Sequence, residues 1–191
     1  MTSSTPVQAP PAAFNFAQHL IERNRSRPQK TAFIDDQGSL SYGQLAESIR
    51  RMAAALGAAG IKREERVLLL MQDCSDWPVA FLGALYAGIV PVAVNTLLTA
   101  DDYAYMLEHS RAQAAFVSSA LLPTLQAAME KSAHEVRQVF VSRHGGDLPS
   151  GMVKMDTALA RATAAREPAN TAGDDPGFWL YSSGSTGRPK G

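Results

Sequence analysis

Hydrophobic residues along this chain switch repeatedly between a helical and an extended period. Behind Asn15, a residue suited to an N-cap with Gln18 three positions on, Phe16, Leu20 and Ile21 form one helical face. The spacing predicts a helix that fails by Arg27-Pro28, because proline disfavours helical backbone at the residue before it. Thr31-Ala-Phe-Ile34 and Ser39-Leu40-Ser41 flank the turn residues Gln37-Gly38 and read as a short hairpin. Ser41 and Gln44 make a second capping box. Leu45, Ile49, Met52 and Leu56 then repeat at helical spacing until Gly57 and Gly60 end the helix.

From residue 66 the pattern changes character. Val67-Leu-Leu-Leu-Met71 is an uninterrupted apolar run of strand length, the pattern of a parallel strand covered on both faces. Asp76 with Pro78 starts a helix that runs to Gly88, and residues 89–94 form the next buried strand. Thr99 and Asp102 form a third capping box; acids fill that helix's first turn and His109 sits in its last. A strand over 114–118, a helix over 121–131 with Pro123 in its first turn, and a strand over 136–141 follow. Residues 144–151 read as loose, Asp156 as the cap of a short helix through Ala165, and 166–177 as a solvated loop. Phe178-Trp179-Leu180 reads as the end of a buried strand. Strand and helix alternate from 66 to 141, which implies βαβ units: an α/β fold with a layered, mostly parallel, doubly wound sheet flanked by helices.

Composition adds bounds. The chain has 191 residues, 46% of them hydrophobic, enough for a real core with one domain as the default. Lys and Arg total 18 and so do Asp and Glu, so the balance carries no electrostatic footprint of nucleic acid or of an anionic membrane. The one cysteine, Cys74, cannot form an internal disulfide and fits a reducing compartment. His19, His109, His134 and His144 are scattered, and no Cys/His cluster has metal-ligand spacing. Residues 1–13 are expected as a disordered tail without a secretory signal. The uncharged run 78–94 falls short of the roughly 20 residues a membrane span needs and is broken by Gly88 and Pro91.

The candidate chemistry lies in residues 181–191. After the last apolar run come Ser182, Ser183, Ser185 and Thr186, three glycines and Lys190, with no acid among them. Glycines let backbone N–H groups approach phosphate oxygens, hydroxyls add donors, and lysine adds positive charge. The spacing is neither that of a Walker A loop nor that of a dinucleotide fingerprint. A flexible Gly/Ser linker is the other reading. The preceding strand, the lysine and the stiff Arg188-Pro189 step favour a phosphate loop.

Tyr-Ser-Ser-Gly-Ser-Thr-Gly-Arg-Pro-Lys-Gly (181–191) resembles the signature loop of the acyl-adenylate-forming superfamily, which includes acyl-CoA synthetases, peptide-synthetase adenylation domains and luciferase. Every position fits the pattern Tyr/Phe-Thr/Ser-Ser-Gly-Ser/Thr-Thr-Gly-x-Pro-Lys-Gly. The stretch from Phe14 to Ser142 is similar to that family's N-terminal region, and residues 71–107 resemble benzoate-CoA ligases in particular. The resemblance implies that residues 14–191 are an incomplete N-terminal adenylate-forming domain ending in the ATP phosphate loop. Ser182, Ser183, Gly184, Ser185, Thr186, Gly187 and Lys190 would hold the ATP phosphates. It implies a cytoplasmic enzyme that uses ATP, Mg2+ and coenzyme A on a small carboxylate, with benzoate expected. The family's adenine, ribose, metal and carboxylate sites lie further along the chain. No catalytic or metal-binding residue is therefore expected here, and these 191 residues alone are expected to be inactive.

Other residues read as structural. Asp35 and Asp36 lead into the hairpin turn; Asp101 and Asp102 sit in a helix first turn, where capping explains them better than acid–base chemistry. Trp77, Trp179, Tyr103 and Tyr105 read as packing. Two alternatives stay open: a medium-chain acyl-CoA synthetase or peptide-synthetase adenylation domain, and a non-catalytic α/β module that binds a nucleotide or a partner.

Overall fold

In the computed structural model, which describes residues 9–182, the apolar run after Glu65 is a strand whose Val67, Leu68, Leu69 and Leu70 are fully buried. The elements in chain order are α1 (Phe16–Arg23), β1 (Thr31–Asp35), β2 (Gly38–Ser41), α2 (Tyr42–Ala58), β3 (Arg66–Leu70), α3 (Asp76–Tyr86), β4 (Val90–Ala93), α4 (Ala100–Ser110), β5 (Ala114–Ser118), α5 (Leu122–Glu130), β6 (Gln138–Ser142), β7 (Met152–Lys154), α6 (Met155–Arg161) and β8 (Trp179–Leu180). β1 and β2 form a separate antiparallel hairpin. The other strands form one six-stranded sheet in the order β7-β6-β5-β3-β4-β8, with every neighbouring pair parallel. The expected doubly wound architecture is therefore present.

Side-chain alternation along each strand builds two cores. Val67, Leu69, Phe116 and Phe140 point to a layer made by α1, α2, α3 and α6. Leu68, Leu70, Val92, Val117 and Val141 point to a layer made by α4 and α5. Truncating one such residue, Leu69→Ala for instance, removes contacts on a face that cannot collapse, at a cost of roughly 2–5 kcal/mol.

Local chemistry places the helices. Both bonds of the Ser41/Gln44 and Thr99/Asp102 capping boxes form. Asn15 caps α1 through its Oδ1, which accepts the Gln18 N–H at 3.1 Å. Its Nδ2 donates to the carbonyl of Leu85 at 3.0 Å and so ties down the end of α3 as well. The Gln18 side chain bonds to Glu22 and does not close a box. α1 stops at Arg23, short of Arg27-Pro28, because the Asn24 side chain donates to the Leu20 carbonyl at 2.8 Å in place of the helical N–H. Its buried face is Ala17 and Ile21, while Phe16 is 51% exposed.

Three further expectations are corrected, and one strand, β7, carries no sequence signal. Asp156 lies inside the first turn of α6, and that helix ends at Arg161. β7 is too short for a strand pattern to announce it: it pairs with β6 over three residues, and its two apolar side chains, Met152 and Val153, pack against opposite cores. Residues 166–177 are tied to the body: the Ala169 N–H donates to the Tyr86 carbonyl, that of Phe14 to Thr171, and Arg63 pairs with Asp175 at 2.8 Å. β8 is an edge strand whose Phe178 and Leu180 side are 51% and 60% exposed, with Phe178 tilted against Phe81. No helix among the described residues is long and apolar enough to cross a membrane; the uncharged run 78–94 is divided between α3 and β4.

α2 and α3 approach closely at Gly83, where a Cβ would lie 2.6 Å from the Met52 Cβ. Alanine is the better helix former by about 1 kcal/mol, yet the clash involves a side-chain stem that cannot swing away. Gly83→Ala is expected to destabilise the fold by roughly 1–3 kcal/mol; urea unfolding showing equal or higher stability would contradict this packing.

Candidate functional site

Parallel pairing brings the carboxyl ends of the sheet strands to one edge, where ligands of open α/β sheets bind. Two regions of that edge carry polar or aromatic side chains.

The first is a crevice of about 610 Å3 outside the ends of β3, β5 and β6, lined by Asp35, Asp36, Gln72, Asp73, Cys74, Ser118, Ser119 and Arg143 among others. It lies at the switch in winding, where β4 flanks β3 on one side and β5 on the other. Its polar groups largely satisfy one another. Asp35 accepts from the Ser75 N–H at 2.7 Å and the Gln37 N–H at 2.9 Å, and pairs with Arg143. Arg143 also reaches Asp36 at 2.7 Å. The Ser118 hydroxyl accepts from the Gln72 N–H, Ser119 bonds to His144, and Ser142 donates to Asp76. Arg143 holds a left-handed φ of 57°, a conformation that a non-glycine residue keeps only when its neighbours fix it. The crevice thus locks the β1–β2 hairpin to the sheet. Cys74 is a half-buried free thiol in its wall.

The second region is the end of β8 with Tyr181, the root of the segment expected to hold phosphate. β8 runs parallel to β4 with Trp179 beside Val92 and Leu180 beside Ala93, so the chain leaves it at the carboxyl edge. Trp179 and Tyr181 face α4 and pack on its core. The Arg66 guanidinium lies 5.8 Å from the centre of the Trp179 ring. The Tyr181 hydroxyl is 2.8 Å from His109 Nδ1, and His109 stacks on Tyr105 at 5.4 Å. Burial first, and Tyr105 second, push the Tyr181 hydroxyl up to about 12.

Of the residues expected to hold phosphate, Ser182 follows this root and is exposed. Ser183, Gly184, Ser185, Thr186, Gly187 and Lys190 lie outside the described residues. Asp102 caps α4, and Asp101 pairs with Lys131 at 2.7 Å. Tyr103 is fully buried and donates to the Asn95 carbonyl at 2.7 Å. Trp77 stacks on Phe81 at 4.9 Å. Arg143, Ser75 and the His109–Tyr181 pair had no sequence signal, because their partners are distant in the chain. An apolar hollow of about 240 Å3 between Phe14, Phe81, Leu85, Ile89 and Phe178 carries Glu64 and Asp175 in its wall, both paired with Arg63.

A model of the family described as AMP-binding enzyme matches residues 20–191. The chain belongs to the AMP-binding enzyme family. It is 42% identical over 180 residues to a 4-hydroxybenzoate–CoA/benzoate–CoA ligase of Rhodopseudomonas palustris, covering 93% of this chain and 33% of that protein. It is 42% identical over 193 residues to a benzoate–CoA ligase of Thauera aromatica, covering 100% of this chain and 36% of that protein. Among solved structures, a benzoate CoA ligase from Burkholderia xenovorans superimposes with a TM-score of 0.81 at 46% identity, over 93% of this chain and 33% of that one. An anthranilate CoA ligase in complex with anthranoyl-AMP gives 0.87 at 27% identity, over 95% and 34%. The chain spans about a third of the length of these AMP-binding relatives.

The crevice yields a pH prediction. The hydroxyl and N–H of Ser75, then the N–H of Gln37 and the Arg143 guanidinium, hold the Asp35 carboxyl well below the usual carboxylate range. A carboxyl depressed in the folded state adds stability above its unfolded value, near 3.9, and loses it as pH falls toward the folded value. Asp35→Asn is expected to lower the thermal midpoint at pH 7. The gap from the parent should narrow steadily as pH drops below about 4; a gap constant from pH 7 to pH 2 would refute this role.

Proposed function

We propose that this chain is the N-terminal segment of an ATP-dependent aromatic carboxylate–CoA ligase, with residues 14–191 as the front of its adenylate-forming domain and benzoate as the substrate. The observation that carries this reading is the Tyr181–Gly191 signature directly following a parallel strand at the carboxyl edge of a doubly wound sheet. The likeness to benzoate and hydroxybenzoate ligases supports the substrate class.

The chemistry follows from the substrate. A carboxylate is a poor electrophile, so its oxygen first attacks the α-phosphorus of ATP and pyrophosphate leaves, giving an acyl-adenylate. The thiol of coenzyme A then attacks the acyl carbon, and AMP leaves with the bond electrons. Negative charge grows on the departing pyrophosphate, and donors aimed there lower the barrier. Ser182, Ser183, Ser185 and Thr186 would offer hydroxyl and backbone donors. Gly184 and Gly187 would permit close approach, and Lys190 would neutralise charge. Among the described residues no three His, Cys, Asp or Glu side chains gather to hold a metal ion, so the magnesium implied by the family resemblance has no ligand set there.

The test is benzoate-dependent pyrophosphate release by the ligase that carries this segment. Lys190→Ala is expected to slow it by about 10²–10³-fold, the loss typical of removing one preorganised donor. Hydroxybenzoates should substitute for benzoate, and fatty acids should not. Unimpaired turnover by Lys190→Ala would overturn the role of the loop; preference for a fatty acid would overturn the substrate. The 191-residue chain alone should release no pyrophosphate.

A further inference from the structure

We propose that His109 is a positioning residue for the phosphate loop, acting through the hydroxyl of Tyr181. The inference rests on the reading of that loop given above and adds the device that holds it.

β8 has only two residues paired with β4, at Trp179 and Leu180. One side of it, Phe178 and Leu180, is more than half exposed. So short an edge strand gains little orientation from its backbone bonds, and the other side must supply it. There Trp179 and Tyr181 meet the last turn of α4. The His109 ring stacks on Tyr105 at 5.4 Å, tilts against Trp179 at 6.5 Å, and meets Tyr181 edge-on at 5.7 Å. Its Nδ1 lies 2.8 Å from the Tyr181 hydroxyl. α4 is itself a fixed platform, capped by Thr99 and anchored by the buried Tyr103, Met106 and Leu107.

Tyr181 is the residue before Ser182, the first hydroxyl of the loop. Fixing the phenol fixes where the loop departs. Donors for a transition state must be held to within about 0.5 Å, which requires a rigid support behind them. The hydroxyl stays protonated at neutral pH, so it can donate to a bare Nδ1 or accept from an Nδ1–H. The contact therefore holds whichever form the imidazole takes. From sequence alone His109 reads as a cation complementing the dipole at the end of α4. The two roles differ in what replaces histidine: a dipole role needs a positive charge, whereas a positioning role needs a polar atom at the place of Nδ1. Asparagine supplies that atom without charge.

The experiment measures kcat and KM for ATP and for benzoate in the full ligase carrying His109→Ala, His109→Asn, Tyr181→Phe or the Ala/Phe double substitution. Both single losses should lower kcat/KM for ATP about three- to tenfold, the effect of one neutral hydrogen bond. KM for benzoate should stay unchanged. His109→Asn should recover to within about twofold, and the double variant should be no worse than the poorer single one, as expected for two halves of one contact. Tyr181→Phe removes a single oxygen and keeps the question answerable if His109→Ala does not fold. Unchanged ATP parameters in Tyr181→Phe, additive losses, or an asparagine variant as impaired as alanine would overturn the proposal. Lys190→Ala separates the failures. If it impairs ATP use and the His109 and Tyr181 variants do not, only the positioning role falls. If it has no effect, the loop reading falls and takes this inference with it.

Discussion

A parallel strand has to be covered on both faces and must return by a crossover, and the rest of the molecule follows from that constraint. The strands β3 to β6 carry apolar side chains on both sides, so each face needs its own helix layer. Crossovers through α3, α4 and α5 supply the layers and turn every strand the same way. Their carboxyl ends then share one edge. The residues proposed to hold phosphate begin just past that edge, because β8 joins the sheet in the same direction.

The two polar regions of the edge differ in kind. In the crevice beside β3 and β5, Asp35 and Asp36 pair with Arg143, Asp35 and Ser118 accept backbone N–H groups, Ser119 bonds to His144 and Ser142 to Asp76. A ligand there would have to displace existing bonds, so the crevice fastens elements together. The root of the loop is built from rings and one cation: Arg66, Trp179, His109, Tyr105 and Tyr181. Such contacts orient a short strand without using the hydroxyls that follow it. This separation suits the proposed reading, in which the residues after β8 bind phosphate from a rigid frame.

Much of this frame was legible residue by residue. The Ser41/Gln44 and Thr99/Asp102 boxes mark helix starts because both partners lie within one turn. The run Val67–Met71 marks a central strand because an uncharged stretch of that length has nowhere to go but inside. Failures occur where a non-local or competing bond decides. Asn24 ends α1 early by taking the Leu20 carbonyl. Residues 166–177 look solvated by composition, yet Ala169, Thr171 and Asp175 find partners at Tyr86, Phe14 and Arg63. β7 is only three residues long, so Met152 and Val153, which pack on opposite cores, make too short a run to read as a strand without the pairing to β6.

By itself the order of residues determined the helix starts, the apolar strands, the α/β class and the loop signature, all of which depend on neighbours within a few positions. Tertiary structure alone decided the strand order, the exposure of β8, and the pairings of Asp35 with Arg143 and His109 with Tyr181, the last separated by 72 residues. Local patterns follow from steric and hydrogen-bonding preferences carried by each short stretch. Distant partners meet only after the two cores have closed, when burial has already chosen which helix lies over which strand.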